Sequence, residues 1–196
     1  MKKFVPTVIH LFLILLLISS TAYATDWRFP VGVSYVGNFN KVVDIHEDNL
    51  EAEGFEVDTT WQFPFGLTFQ PYVEFDFGLG IGMGLGPMMI IVTSEEADFF
   101  NLPINVNARY SFIPKNNISP YVRAGASYNI ASGDYVDSSK IGFLGAVGVE
   151  FSRKSAVGYG FEVGYDSSEI EFDDFKKGGT KDIKPINWWA SIFVVF

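Results

Sequence analysis

The chain has 196 residues, 48% hydrophobic, 17% aromatic and 19% charged, with no cysteine and a formal charge of −9. This excludes disulfide scaffolds and cysteine zinc sites, and so acidic a chain offers nucleic acid no basic footprint. Beyond the first two dozen residues no apolar run approaches the roughly 18–20 residues of a membrane helix, which excludes a helical inner-membrane protein.

The first element is a leader. Lys2 and Lys3, the apolar run 11–18 and the small-x-small set Ala22, Tyr23, Ala24 stand in the order of a cleavable signal peptide, so residues 1–24 are expected to be removed. An uncleaved leader would serve as an N-terminal anchor, and a lipoprotein anchor fails for want of a cysteine. The remainder, 25–196, is expected to form one domain of 172 residues, with a formal charge of −11 once Lys2 and Lys3 are gone.

From there apolar residues fall at every second position, the period of a strand with unlike faces. Strand one sets Trp27, Phe29, Val31, Val33 and Tyr35 on one face. The long connection 39–59 holds an acidic stretch at 43–53 that reads as helix and that Gly54 could terminate. Strand two carries Trp61, Phe63, Phe65, Leu67 and Phe69, and after a short turn at 70–71 strand three alternates over 73–85. Strand four follows on the even numbers of 100–112, then strands five to seven over 122–130, 141–151 and 157–165. Trp188, Ala190, Ile192, Val194 and Phe196 make strand eight.

None of the 45 positions on these faces is charged. The opposite faces hold many glycines and Arg28, Glu74, Asp76, Arg109, Arg123, Glu150 and Glu162, with Asp166 just past strand seven. Large apolar residues therefore face one environment and the charges a second. The connections also alternate between long and short. Together these features predict an all-β fold: a transmembrane antiparallel eight-stranded up-and-down β-barrel behind a cleavable signal peptide. Lipid offers backbone groups no partner, so the strands must close on themselves. Trp27, Tyr35, Trp61, Tyr110 and Trp188 are placed for interfacial girdles, and eight strands are too few for a wide porin.

The chain resembles the small eight-stranded outer-membrane barrels, the OmpA/OmpX/OmpW-like β-barrel domain family, across essentially all of 25–196. Phe196, with Val194, Ile192, Ala190 and Trp188 at alternate positions before it, fits the family's terminal signature, and 120–125 and 142–151 look like its glycine-and-aromatic strands. The resemblance implies an integral protein of the Gram-negative cell outer membrane with both termini in the periplasm. It implies assembly by the barrel assembly machinery and surroundings of outer-membrane lipids and lipopolysaccharide, whereas the periplasmic peptidoglycan-binding domain of the larger relatives is not expected after strand eight. A monomer is expected.

Candidate chemistry is confined to a few groups. In a narrow lumen the interior charges must pair, since an unpaired one would cost several kcal/mol. Arg28, Arg109 and Arg123 against Glu74, Asp76, Glu150, Glu162 and Asp166 form either a structural plug or a gate for water and small ions. The plug is the favoured reading, because side chains fill barrels of this size. The ladder Gly78, Gly80, Gly82, Gly84, Gly86 and the set Gly158, Gly160, Gly164 could thin the wall beside an apolar crevice, or make room for facing aromatics. His46 reads as a solvated loop histidine. The acidic loops read as solvated and mutually repelling, able to share divalent cations with lipopolysaccharide, without the spacing of a defined metal site.

The expected function is thus a non-enzymatic integral barrel with a side-chain-plugged lumen, whose acidic external loops meet lipopolysaccharide or a surface partner. No catalytic, cofactor or metal residue is assigned. A narrow conduit for small or apolar solutes is the alternative, and a lipid-modifying enzyme the third class.

Overall fold

The computed structural model describes residues 25–56, 64–92 and 98–196. The leader assigned to 1–24, and Trp61 and Phe63 of the second strand, lie outside the described residues. The chain starts with β1 (Thr25–Arg28) and β2 (Pro30–Val36), one strand broken only at Phe29, and enters α1 (Phe39–Ala52). It continues through β3 (Phe65–Phe69), β4 (Tyr72–Phe75), β5 (Leu79–Leu85), β6 (Met89–Val92), β7 (Asp98–Ser111) and β8 (Ile118–Gly133). Then come β9 (Val136–Lys140), β10 (Gly142–Phe151), β11 (Gly158–Asp166), β12 (Glu169–Asp173), β13 (Thr180–Ile183) and β14 (Trp188–Val195).

Eight antiparallel walls close into a barrel. β1 and β2 pair with β4 and β3 in a single register, Tyr35 opposite Phe65 and Thr25 opposite Phe75, while β14 closes on β2 with Ser191 opposite Ser34. Following partners around the wall from Val36 through Trp189, Gly164, Ala146, Arg123, Arg109, Gly80 and Glu74 leads back to Asp26, ten residues down the starting strand. A stagger of this kind tilts the strands, by about 35–45° in such barrels. It also carries one layer of inward side chains diagonally past several strands, which is how distant charges come to share the lumen.

One expected turn is displaced. The chain does not reverse at Gln70 and Pro71 but runs straight on, so β4 belongs to the second wall and not to the third. The reversal comes at 76–78, where the Gly78 N–H donates to the Phe75 carbonyl at 2.8 Å and Gly78 takes φ +91. A three-residue hairpin loop needs a left-handed residue at its third position, and glycine supplies it without steric cost. The odd length of the loop keeps odd-numbered residues outward on both arms. Alternation therefore cannot see the turn.

Outside, the wall is apolar: Leu67, Val106, Phe143, Val147 and Ile192 are each at least half exposed. So large a continuous apolar surface is unfavourable in water and suits lipid. Aromatic pairs edge it at both levels. At one lie Tyr35, Phe65 and Trp188, with ring centroids 5.4 and 5.3 Å from Tyr35, and at the other Tyr110 against Phe112 and Phe151 against Tyr159. Such girdles mark the two interfaces of a membrane barrel.

The end carrying Thr25, Phe196 and the short reversals is called here the turn end, the other the loop end. The loop end holds a second, three-stranded sheet in the order β13-β12-β9, within segments expected to be loops. α1 packs beside it. Phe39, Val42, Val43, His46 and Leu50 recur at helical spacing and are buried. Phe39, Val42, Val43 and Leu50 join Ile170, Phe172 and Ile183 of the small sheet and Met89, Ile91 and Phe99 of the barrel rim in one apolar cluster. Gly54, at φ +93, ends the helical segment as expected. The result is an apolar cap seated in the loop end of the barrel.

Candidate functional site

Below the cap the inward positions are polar, and their charges meet. Arg109 on β7 reaches Glu150 Oε1 on β10 at 2.8 Å, and its guanidinium carbon lies 3.4 Å from the Tyr121 ring centroid and 4.6 Å from that of Tyr72. Tyr72 also donates its hydroxyl to Glu150 Oε1 at 2.8 Å. Arg123 on β8 grips Glu162 on β11 with both arms, Nη2 to Oε1 at 2.6 Å and Nε to Oε2 at 3.1 Å. The same carboxylate accepts the Tyr121 hydroxyl at 2.9 Å and the Trp189 indole N–H at 3.1 Å. Arg153 binds Glu74 through Nη2 and lies 3.3 Å from Glu150 through Nε. Three arginines thus face three glutamates, and none of the six is more than 6% exposed. The balance of charge is what allows their burial.

Not every expected member joins this lattice. Asp166 is buried near it but is held by neutral donors, Ser127 Oγ at 2.6 Å and the Ser168 N–H at 2.8 Å. Arg28 lies at the rim, donating to the Arg153 carbonyl at 3.3 Å and lying 3.5 Å from Asp26. Asp76 is a correction: the turn at 76–78 carries it off the wall and leaves it exposed. Arg153 is the member that strand reading misses. It follows β10 in a reversal where Ser152 takes φ 57, and its side chain folds back into the lumen. A trace of it was present in the charge count, because three strand glutamates faced only Arg109 and Arg123 in the middle of the barrel.

The glycines are matched by bulk, not by a crevice. A Cβ on Gly84 would meet the Asn105 amide, one on Gly160 the Phe193 ring and one on Gly164 the Trp189 ring. Between lattice and cap a void of about 20 Å³ remains, bordered by Ser34, Thr68, Gln70, Pro87, Arg123 and Trp189. That is room for about one water molecule.

Two expectations about the loops change. His46 is not solvated: it is 1% exposed, with Phe99, Tyr135 and Phe172 around its ring. The helix puts position 46 in line with Val42 and Leu50, on the face that packs. Nor does the acidic stretch stand alone, because Lys176 reaches Asp48 at 2.8 Å and Glu51 at 3.4 Å. The hydrogen bond from Lys176 holds the Asp48 carboxyl below its ordinary value. Burial, with the bond to Glu53, pushes the Tyr135 hydroxyl up to about 12. Among the described residues no three His, Asp or Glu side chains gather as a metal site would require.

On the last strand Trp188, Ile192, Val194 and Phe196 face outward, while Trp189, Phe193 and Val195 are buried inside. Phe196 exchanges backbone hydrogen bonds with Phe29, its N–H to the Phe29 carbonyl at 3.4 Å and the reverse at 3.0 Å.

A solved structure shares this architecture. The outer membrane protein OprG from Pseudomonas aeruginosa superposes with a TM-score of 0.55 at 13% identity, over 89% of this chain and 96% of that one. The E. coli outer membrane protein W gives 0.49 at 17% identity, over 88% and 97%. At such identity the likeness to OprG speaks for the fold alone. No curated protein is similar enough in sequence to match. Residues 10–190 match the model of the outer membrane protein beta-barrel domain, and with nearly the whole chain covered the protein belongs to that family.

Proposed function

We propose that this integral outer-membrane barrel is non-enzymatic and closed by its own side chains, with the loop end outside and both termini in the periplasm. The observation that carries the reading is the lattice of Arg109, Arg123 and Arg153 with Glu74, Glu150 and Glu162, six charged side chains paired and buried inside the barrel. The apolar cap over the loop end and the one-water void beneath it support the same reading. In this arrangement α1 and the small sheet are the surface offered to lipopolysaccharide or to a partner. Trp188, Ala190, Ile192, Val194 and Phe196 serve as the signal read by the barrel assembly machinery, and the barrel works as a monomer.

The test is planar-bilayer conductance together with liposome swelling, using the purified barrel. A plugged lumen gives no steady conductance and no swelling in small sugars. Steady single-channel conductance, or swelling that scales with protein, overturns the plug in favour of a narrow conduit.

A further inference from the structure

The elements of the cap converge on one side chain. His46 of α1 lies with its ring centroid 5.3 Å from Phe99 of β7, 5.5 Å from Tyr135 in the β8–β9 connection and 5.6 Å from Phe172 of β12. Its Nδ1 is 2.7 Å from the Val42 carbonyl, so the proton sits there and is donated to that oxygen. Nε2 is left as a bare lone pair, buried and without a partner among the described residues. The neutral ring suits this apolar setting. A second proton would create both a buried N–H without an acceptor and a buried cation.

The charged groups around it do not supply that acceptor. Asp134 favours the charged ring only across space. Its carboxylate is engaged by the Asp98 N–H at 2.8 Å. Glu53, just past α1, takes the Tyr135 hydroxyl at 3.1 Å, and Glu171 of β12 is occupied by Ser138 and Thr180 at 2.8 and 2.7 Å. Burial outweighs both the Val42 hydrogen bond and Asp134 and holds His46 below its ordinary value.

We propose that the cap is an acid-sensitive latch, closed while His46 is neutral and loosened when Nε2 takes a proton and α1 lifts from β7, the β8–β9 connection and β12. In the loosened cap the ring is solvated and titrates near its ordinary value of about 6.5. Closure is therefore complete above that pH. Below it, acid favours the open cap by up to roughly tenfold per pH unit, until the ring of the closed cap is charged as well. His46 is the only histidine of 25–196, so no other side chain there has an ordinary value in this window.

Amide hydrogen exchange on the barrel in phospholipid vesicles, expressed as protection factors between pH 7.5 and 5, tests the latch. In the wild type, residues 39–52 should lose protection by up to about tenfold per pH unit below 6.5, while β10 and β11 stay unchanged. The His46→Phe barrel should show no such dependence. Equal loss in His46→Phe, or none in the wild type, overturns the proposal. Titration of the His46 ring by NMR in the wild type decides it even if the variant does not fold. A midpoint below 6.5 supports the latch, and one at or above 6.5 shows that the aromatic cage welcomes the cation and overturns it.

Discussion

Arg109 Nη1 lies 2.8 Å from Glu150 Oε1, and neither side chain is more than 4% exposed. A pair so withdrawn from water depends on both partners, because removing one strands the other's charge. Arg109→Ala should destabilise the barrel by about 3–5 kcal/mol in denaturant titrations in lipid vesicles. Replacing Glu150 with Gln in the same chain should recover part of the loss. Conductance should not rise in either variant. A gate predicts the reverse, new conductance with little change in unfolding free energy, and that outcome sinks the plug.

The displaced turn separates two outward residues that alternation treats alike. Val147 lies in the middle of β10, 54% exposed on the apolar wall, whereas Phe77 lies in the 76–78 reversal at the turn end. Val147→Arg should cost about 2–4 kcal/mol and Phe77→Arg about 0–1 kcal/mol, because the cost of a charge in lipid falls from midplane to interface. Equal costs, measured by folding into vesicles, would put the reversal back at residues 70 and 71.

What could be read from sequence follows from what the environment forces. Lipid outside and a polar lumen inside impose opposite demands on successive residues, so the faces of the eight walls are written in period two. Arg109, Arg123, Glu150 and Glu162 were legible for that reason. Arg153 was not, since it lies in a reversal and enters the lumen only through the length of its side chain. In the small sheet Ile170 and Phe172 do alternate with Glu169, Glu171 and Asp173, but five residues are too few to tell from a loop. The burial of His46 was legible in part: positions 39, 42, 43, 46 and 50 share one helical face, but acids at 44, 47, 48 and 51 give the same stretch the composition of a solvated loop.

Glycine makes room for bulk inside the wall, which gives a sharp contrast between two positions. A Cβ on Gly164 of β11 would strike the Trp189 ring, whose indole N–H is committed to Glu162, whereas one on Gly145 of β10 meets nothing within 4 Å. Gly164→Ala should cost about 1–3 kcal/mol by overpacking. Gly145→Ala should be neutral or slightly stabilising, since it only reduces the freedom of the unfolded chain. Denaturant titration of the two variants side by side checks this. Equal stability would mean that Trp189 can swing aside and that the lattice around Glu162 is loose.

The last prediction concerns the last residue. Phe196 combines two roles that a deletion can separate: its main chain exchanges hydrogen bonds with Phe29 across the β14–β2 closure, and its exposed ring stands at the end of the outward row Trp188, Ile192, Val194. Deleting Phe196 removes both, while Phe196→Ala keeps the main chain and removes only the ring. If the ring is the signal read during assembly, both variants should reach the outer membrane poorly, yet Phe196→Ala should refold in vesicles about as stably as wild type. A role in closure alone predicts that Phe196→Ala accumulates normally and only the deletion suffers. Outer-membrane yield in cells, set against refolding stability in vesicles, separates the two. Normal yield of the Phe196→Ala barrel would remove the ring from the assembly signal.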